Sequence, residues 1–263
     1  VREEEILRYG KNTKQSRNRA ETERRLDMLN ELEQVRPADI EKRSFEIITE
    51  ELGDKELIPG TEPVVKRCIH TSADFDYADN LVFSDHVIER ALTALRNGAS
   101  IVTDTQMAKA GINKKRLAQY GGEVHCFMAD EDVAQTAKRN GTTRAAACMD
   151  KAAAMWRDRD RREKDADGGR EENEKNEENG SRENGLIFAI GNAPTALVRL
   201  YELINEGKLK PELIIAAPVG FVNVVQSKEL ILTLKDIPYI VARGRKGGSN
   251  IAACICNSLL YML

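Results

Sequence analysis

The stretch "LIFAIGNAPTALVRLYELI", residues 186–204, decides the fold. Leu186 to Ile190 is an unbroken apolar run too short for a helix, and "GNAP" punctuates it. After Pro194 the apolar residues recur at helical spacing. A fully apolar strand that passes through one tight turn into an amphipathic helix is the half-unit of a parallel sheet covered on both faces. Gly191 allows the turn, Asn192 is a plausible cap, and Pro194 suits a first helical position.

The same unit repeats outward from this stretch. Short β-branched runs occupy 64–70, 99–103, 122–128, 212–217 and 238–242. Helical patterns fill 84–97, 130–140, 142–156, 193–206, 223–233 and 249–262. Strands alternating with helices predict an α/β fold, a single-domain doubly wound and mostly parallel sheet with helices on both faces. Two segments stand apart. Residues 1–35 form a charged extension with a thin apolar stripe at Leu26, Leu29 and Leu32. The polar stretch 157–184 cannot bury enough surface to offset its ordering entropy, so it reads as a disordered insertion whose first turns continue the preceding helix. The domain proper is then 36–263.

Composition removes several classes of function. The 263 residues carry 40 Lys and Arg against 43 Asp and Glu, a net charge of −3, which disfavours a general nucleic-acid binder. No apolar run approaches the roughly 20 residues that span a bilayer, so no membrane partner is expected. The five cysteines (Cys68, Cys126, Cys148, Cys254 and Cys256) form no C-x-x-C pair and read as buried free thiols of a reducing, cytoplasmic compartment.

In a doubly wound sheet, ligands bind outside the carboxyl ends of the strands. Five sequence clusters fall there: His70-Thr71-Ser72, Asp104-Thr105, Gly191 to Thr195, Pro218 to Phe221, and Arg243 to Ser249. His70 has two readings, a core histidine satisfied by a carbonyl or an acid–base group. Its neighbours Thr71, Ser72 and Asp74 tip the balance toward function. His125 reads as structural, and His86 as a surface or capping residue at a helix start. No histidine pair has metal-ligand spacing, so no metal site is expected. The amides of "IGNAPTAL" are candidates for anion binding, although a well-capped helix start explains those residues equally well. The "ARGRKGGSN" loop (242–250) interleaves cations with glycines, a pattern suited to carboxylates or phosphates. Phe221 is a candidate wall for a flat ligand. One imidazole, several cations, amide-rich loops and an aromatic suit a large polyanionic organic ligand.

Six segments carry a family resemblance: "IEKRSFEIITEEL" (40–52), "RCIHTSADFDYADNLVFS" (67–84), "ALRNGASIVTDTQMAKAGI" (94–112), "GNAPTALVRLYELI" (191–204), "PELIIAAPVGFVNVVQSKE" (211–229) and "IPYIVARGRKGGSNIAA" (237–253). With them the chain resembles the precorrin-8X methylmutases, and specifically their cobalt-precorrin-8 branch. The resemblance implies an isomerase that shifts a methyl group between adjacent carbons of ring C of a corrinoid precursor. It further implies a homodimer with sites near the subunit interface and no protein-bound cofactor, any cobalt belonging to the substrate. His70 falls on the family's catalytic histidine, with a proton-donor role. Ser44, Thr71, Asp104, Arg116, Gly220 and Phe221 fall on pocket positions. Arg243, Gly244, Lys246 and Gly247 would meet peripheral carboxylates. The chemistry is compatible, because a methyl shift needs no nucleophile triad and no dinucleotide motif. Two other classes compete: a non-catalytic corrinoid carrier that would not need His70, and a nucleotide-binding α/β protein that would be stabilised by NAD or ATP.

Overall fold

The computed structural model describes residues 21, 22, 24, 25, 28–167 and 185–263. They fall into two units, Val1–Ile47 and Ile48–Leu263. In the first unit, Pro37–Asp39 forms a 3-10 turn that leads into helix α1, Ile40–Leu52, within which the boundary lies. Arg43 pairs with Glu33 at 2.7 Å, and Leu29 and Leu32 are exposed. Leu26 and most of the 1–35 extension lie outside the described residues.

The second unit is built on six strands: β1 Leu81–Phe83, β2 Ser100–Thr103, β3 Val124–His125, β4 Leu186–Ile190, β5 Leu213–Ala216 and β6 Tyr239–Ala242. Their order is β1-β6-β5-β4-β2-β3. All neighbours run parallel except β1, which pairs antiparallel with β6 through Leu81 opposite Ala242. Every residue of β2, β4 and β5 is buried, which is why these segments read as continuous apolar runs rather than alternating ones.

The helices of this unit are α2 Glu62–Ser72 and α3 Tyr77–Asn80 before the first strand, α4 Val87–Arg96, α5 Gln106–Gly111, α6 Lys114–Ala118, α7 Glu131–Asn140, α8 Arg144–Asp167, α9 Pro194–Asn205 and α10 Val224–Leu232 between strands, and α11 Ser249–Tyr261 after the last. Ile187, Ala189, Leu213, Ile215 and Ile240 pack on one face with α2, α4 and α11. Phe188, Ile190, Ile214, Ala216 and Val241 pack on the other with α7 to α10. Alternate strand residues thus feed two cores, each fully buried aliphatic or phenyl side chain contributing about 1.5–3 kcal/mol. All five cysteines are buried free thiols. Among the described residues no helix is long and apolar enough to cross a membrane.

The α/β, mostly parallel architecture matches the sequence reading, with one substitution of element. Residues 64–70 are not a strand but the body of helix α2. Pro63 occupies its first turn, and the buried residues are Val64, Val65, Cys68 and Ile69, a helical face rather than an alternating one. The β-branched pair at 64–65 obscured that period. Ala73, in the left-handed region at φ 53°, ends the helix by donating its N–H to Ile69 O at 2.7 Å. The sheet's remaining edge is β1, too short to stand out in the sequence. The expected run 122–128 contracts to two strand residues. Helix α8 continues through Asp167 into the polar stretch, and residues 168–184 lie outside the described residues.

Candidate active site

Asp104 is the first residue beyond β2 and is buried among the ends of its neighbours. Its Oδ1 accepts the Gly191 N–H at 2.8 Å, and its Oδ2 accepts those of Asn192 at 2.9 Å and Ala193 at 2.6 Å. The amides singled out as an anion site are therefore filled by the chain's own carboxylate. Burial pushes the Asp104 carboxyl above its ordinary range, against the pull of the three N–H donors. The bond network closes the turn after β4 tightly enough that a Cβ on Gly191 would stand 2.6 Å from Ser249 Cα. Thr105 Oγ1 lies 2.8 Å from Ser249 Oγ, so the ends of β2 and β4 share the start of α11.

The loops after β5 and β6 are laced together. Gly248 N–H donates to Ala217 O at 2.8 Å, and Gly220 N–H to Arg245 O at 3.2 Å. Gly247, at φ 155°, lies so close that a Cβ would meet Ala217 O at 2.2 Å; only glycine fits there. On the outer side Phe221 and Val222 are each 79% exposed, with the Arg245 guanidinium 5.4 Å above the Phe221 ring. The result is an apolar ledge edged by a cation.

Two of the expected cations have partners inside the chain. Arg243 grips Glu229 with both branches, at 2.8 and 3.0 Å. Lys246 Nζ lies 2.6 Å from Asp74 and 2.6 Å from Asp76, and these bonds hold its ammonium well above the ordinary lysine range and the Asp74 carboxyl below its own.

The Lys246 pairing brings the segment that follows His70 to the rim. The segment after α2 carries Asp74 and Asp76, so Lys246 ties the end of that helix to the 243–248 loop. Thr71, next to His70, donates its hydroxyl to Cys254 Sγ on α11 at 3.2 Å. His70 is exposed in the last turn of α2. It stands at a helix end instead of a strand end.

One other expected residue of this unit lies elsewhere. The Arg116 Nε–H donates to Leu260 O at 3.2 Å, near the far end of α11. That point is roughly 16 Å along the helix from Ser249, at about 1.5 Å per residue. Ser44 belongs to the first unit, where its hydroxyl donates to Ile40 O at 2.9 Å. His125 stacks on Phe127 with ring centroids 5.8 Å apart, and exposed His86 sits 3.6 Å from Glu89. Both stay structural or peripheral. No cluster of three or more His, Cys, Asp or Glu with metal-binding geometry occurs among the described residues.

Lys228 escaped the sequence reading. It is completely buried on α10, and its ammonium donates to Gly244 O at 2.9 Å and Lys246 O at 2.8 Å. Burial lowers its pKa to about 8. A signal was present, because 224, 227, 228 and 231 share the buried face of α10, so a lysine stands where helical spacing calls for an apolar residue.

A cavity of about 850 Å³ opens at the opposite end of the sheet, lined by Trp156, Tyr201, Lys208, Lys210 and Lys235 among others. None of the groups assembled at the carboxyl rim contributes to it. The rim is the better candidate, since the convergent polar chemistry and the strand ends coincide there.

Comparison with known proteins gives a consistent pattern. The family model for precorrin-8X methylmutase matches residues 39–262. A protein of Priestia megaterium named cobalt-precorrin-8 methylmutase is 42% identical over 225 residues, covering 86% of this chain and 88% of the relative. One of the same name from Leptospira interrogans is 41% identical, covering 85% of this chain and 92% of the relative. The crystal structure of a precorrin-8X methylmutase from Thermus thermophilus superposes with a TM-score of 0.65 at 33% identity, covering 85% of this chain and 96% of that one.

Proposed function

The chain belongs to the precorrin-8X methylmutase family and is an isomerase that moves a methyl group within its substrate; on that premise we propose that it converts cobalt-precorrin-8 into a cobyrinate-type macrocycle, with His70 as the proton donor. The observation that carries this reading is the Lys246 bridge to Asp74 and Asp76, which seats the His70 turn beside the glycine-rich cationic loop. An exposed imidazole four residues before the Asp74 that Lys246 binds, an apolar ledge, amide-rich loops and a free-facing guanidinium suit a flat macrocycle with carboxylate arms. The 41–42% identity to relatives named for the cobalt-containing substrate favours that form.

A methyl shift between adjacent carbons creates no covalent enzyme intermediate and transfers no electrons to the protein. The task left to the side chains is to hold the macrocycle and to stabilise charge as it develops on the conjugated ring. A hydrogen bond or proton from His70 does the latter, and such donors contribute about 10²–10⁴ in rate. No protein-bound cofactor enters this scheme, and cobalt arrives with the substrate. We expect His70→Ala to fold and to bind cobyrinic acid normally while losing about a hundredfold or more of its turnover, followed by the visible absorption change of the corrinoid. Unimpaired turnover in that variant would remove His70 from the chemistry, and a wild type that binds the corrinoid without turning it over would leave the carrier reading in its place.

The rim is an open ledge on the single chain, with Phe221 and Val222 standing out from it. A second copy of the chain supplies the missing wall in this scheme, making the active form a homodimer in the cytoplasm. Light scattering on the purified protein should give about twice the mass of one chain; a monomer that is active at nanomolar concentration contradicts the dimeric arrangement.

A further inference from the structure

Two of the cations that the sequence offered for carboxylate recognition have carboxylate partners within the chain: Arg243 pairs with Glu229, and Lys246 with Asp74 and Asp76. The rest of the 243–248 loop offers further donors to an acidic ligand. In a trans peptide the C=O and the following N–H point in opposite directions. Lys228 draws the carbonyls of Gly244 and Lys246 toward its buried ammonium, which turns the N–H groups of Arg245 and Gly247 away from it. Among the described residues neither of those two N–H groups has an acceptor, and no carboxylate pairs with the Arg245 guanidinium.

We propose that Lys228 is a positioning residue for carboxylate recognition, holding the Arg245 and Gly247 amides as a cradle for one acidic arm of the substrate. Backbone amides presented together in a glycine-bearing turn form an anion-binding concavity. The Arg245 side chain, poised over Phe221, stands at its edge. The buried charge of Lys228 lies behind the two peptide dipoles and reinforces their field. Lys228 also belongs to α10, which continues directly from the Phe221 loop, so one ammonium couples the positions of both rim loops. It never touches the ligand and acts only through the backbone it orients.

The inference rests on the reading that this rim binds a polycarboxylate corrinoid, and two measurements separate the two ideas. Lys228→Met keeps the length of the stem and removes the donors. With cobalt-precorrin-8 as substrate, KM should rise about tenfold while kcat stays within a few-fold, because charge-assisted contacts to an arm are lost and His70 is untouched. Trypsin should cleave after Arg245 faster in the variant than in the wild type, since the loop loses its anchor. Lys228→Gln, which retains an N–H donor, should restore part of both properties and substitutes for Lys228→Met if the latter does not fold. An unchanged KM in a folded variant overturns the positioning role, and so does unchanged trypsin cleavage. A wild-type protein without turnover overturns the functional reading instead, and the trypsin comparison still decides whether Lys228 orders the loop.

Discussion

Asp104 and Lys228 hold the two halves of the rim by the same device with opposite charge. The carboxylate of Asp104 gathers three backbone N–H groups after β4, and the ammonium of Lys228 gathers two backbone carbonyls after β6. Each side chain is buried, so each ion relies on peptide dipoles for the solvation that water would otherwise provide. The consequence differs by sign. Around Asp104 the N–H groups face inward and are used up, and the turn cannot bind a second anion there. Around Lys228 the carbonyls face inward, which leaves the neighbouring N–H groups available. Two loops at neighbouring strand ends thereby acquire different chemistry from one buried charge apiece.

Removing either ion tests the comparison, and Asp104 should show the larger effect. Asp104→Ala leaves three N–H groups without their acceptor, that of Gly191 buried and those of Asn192 and Ala193 part-buried, so a loss of about 2–3 kcal/mol in urea unfolding is expected. A loss below about 1 kcal/mol would mean that the turn after β4 holds itself.

Lys228 should reveal itself by pH. Its folded pKa, near 8, lies below the ordinary lysine value of 10.5. Between those values the unfolded chain binds the proton and the folded chain does not, so stability rises with pH across that window. Relative to Lys228→Met, which lacks the titrating group, the wild type should gain stability from pH 8 to 10.5. Unfolding curves at pH 7 and pH 10 measure the difference directly; a gap that stays constant would show that the ammonium is not confined in the folded state. Asp104 leans the other way. With its carboxyl raised, its contribution is greatest at low pH and falls as pH rises through the folded value.

Much of the fold was legible because buried parallel strands have nothing but apolar side chains to offer. Leu186–Ile190 and Leu213–Ala216 match their expected runs to within a residue or so at either end. The exception, 64–70, shows the limit of that rule: β-branched residues suit either element, and only the spacing of the buried residues, 64, 65, 68 and 69, marks the helix. The glycine-rich loop and Phe221 were found because unusual residues after a strand stand out against a regular background. Lys228 was hidden in a helix otherwise read as apolar, and the partners of Arg243 and Lys246 lie 14 residues away and as far as 172 residues away.

The sequence by itself determined the strand–helix alternation, the rim on which the chemistry collects and the family to which the chain belongs. These follow from local periodicity and from motifs read along one dimension. Tertiary structure alone decided which polar groups remain open to a ligand. A carboxylate or an ammonium has no preference in sequence for one backbone over another, and its choice of partner depends on which chain segments the sheet brings within hydrogen-bond distance.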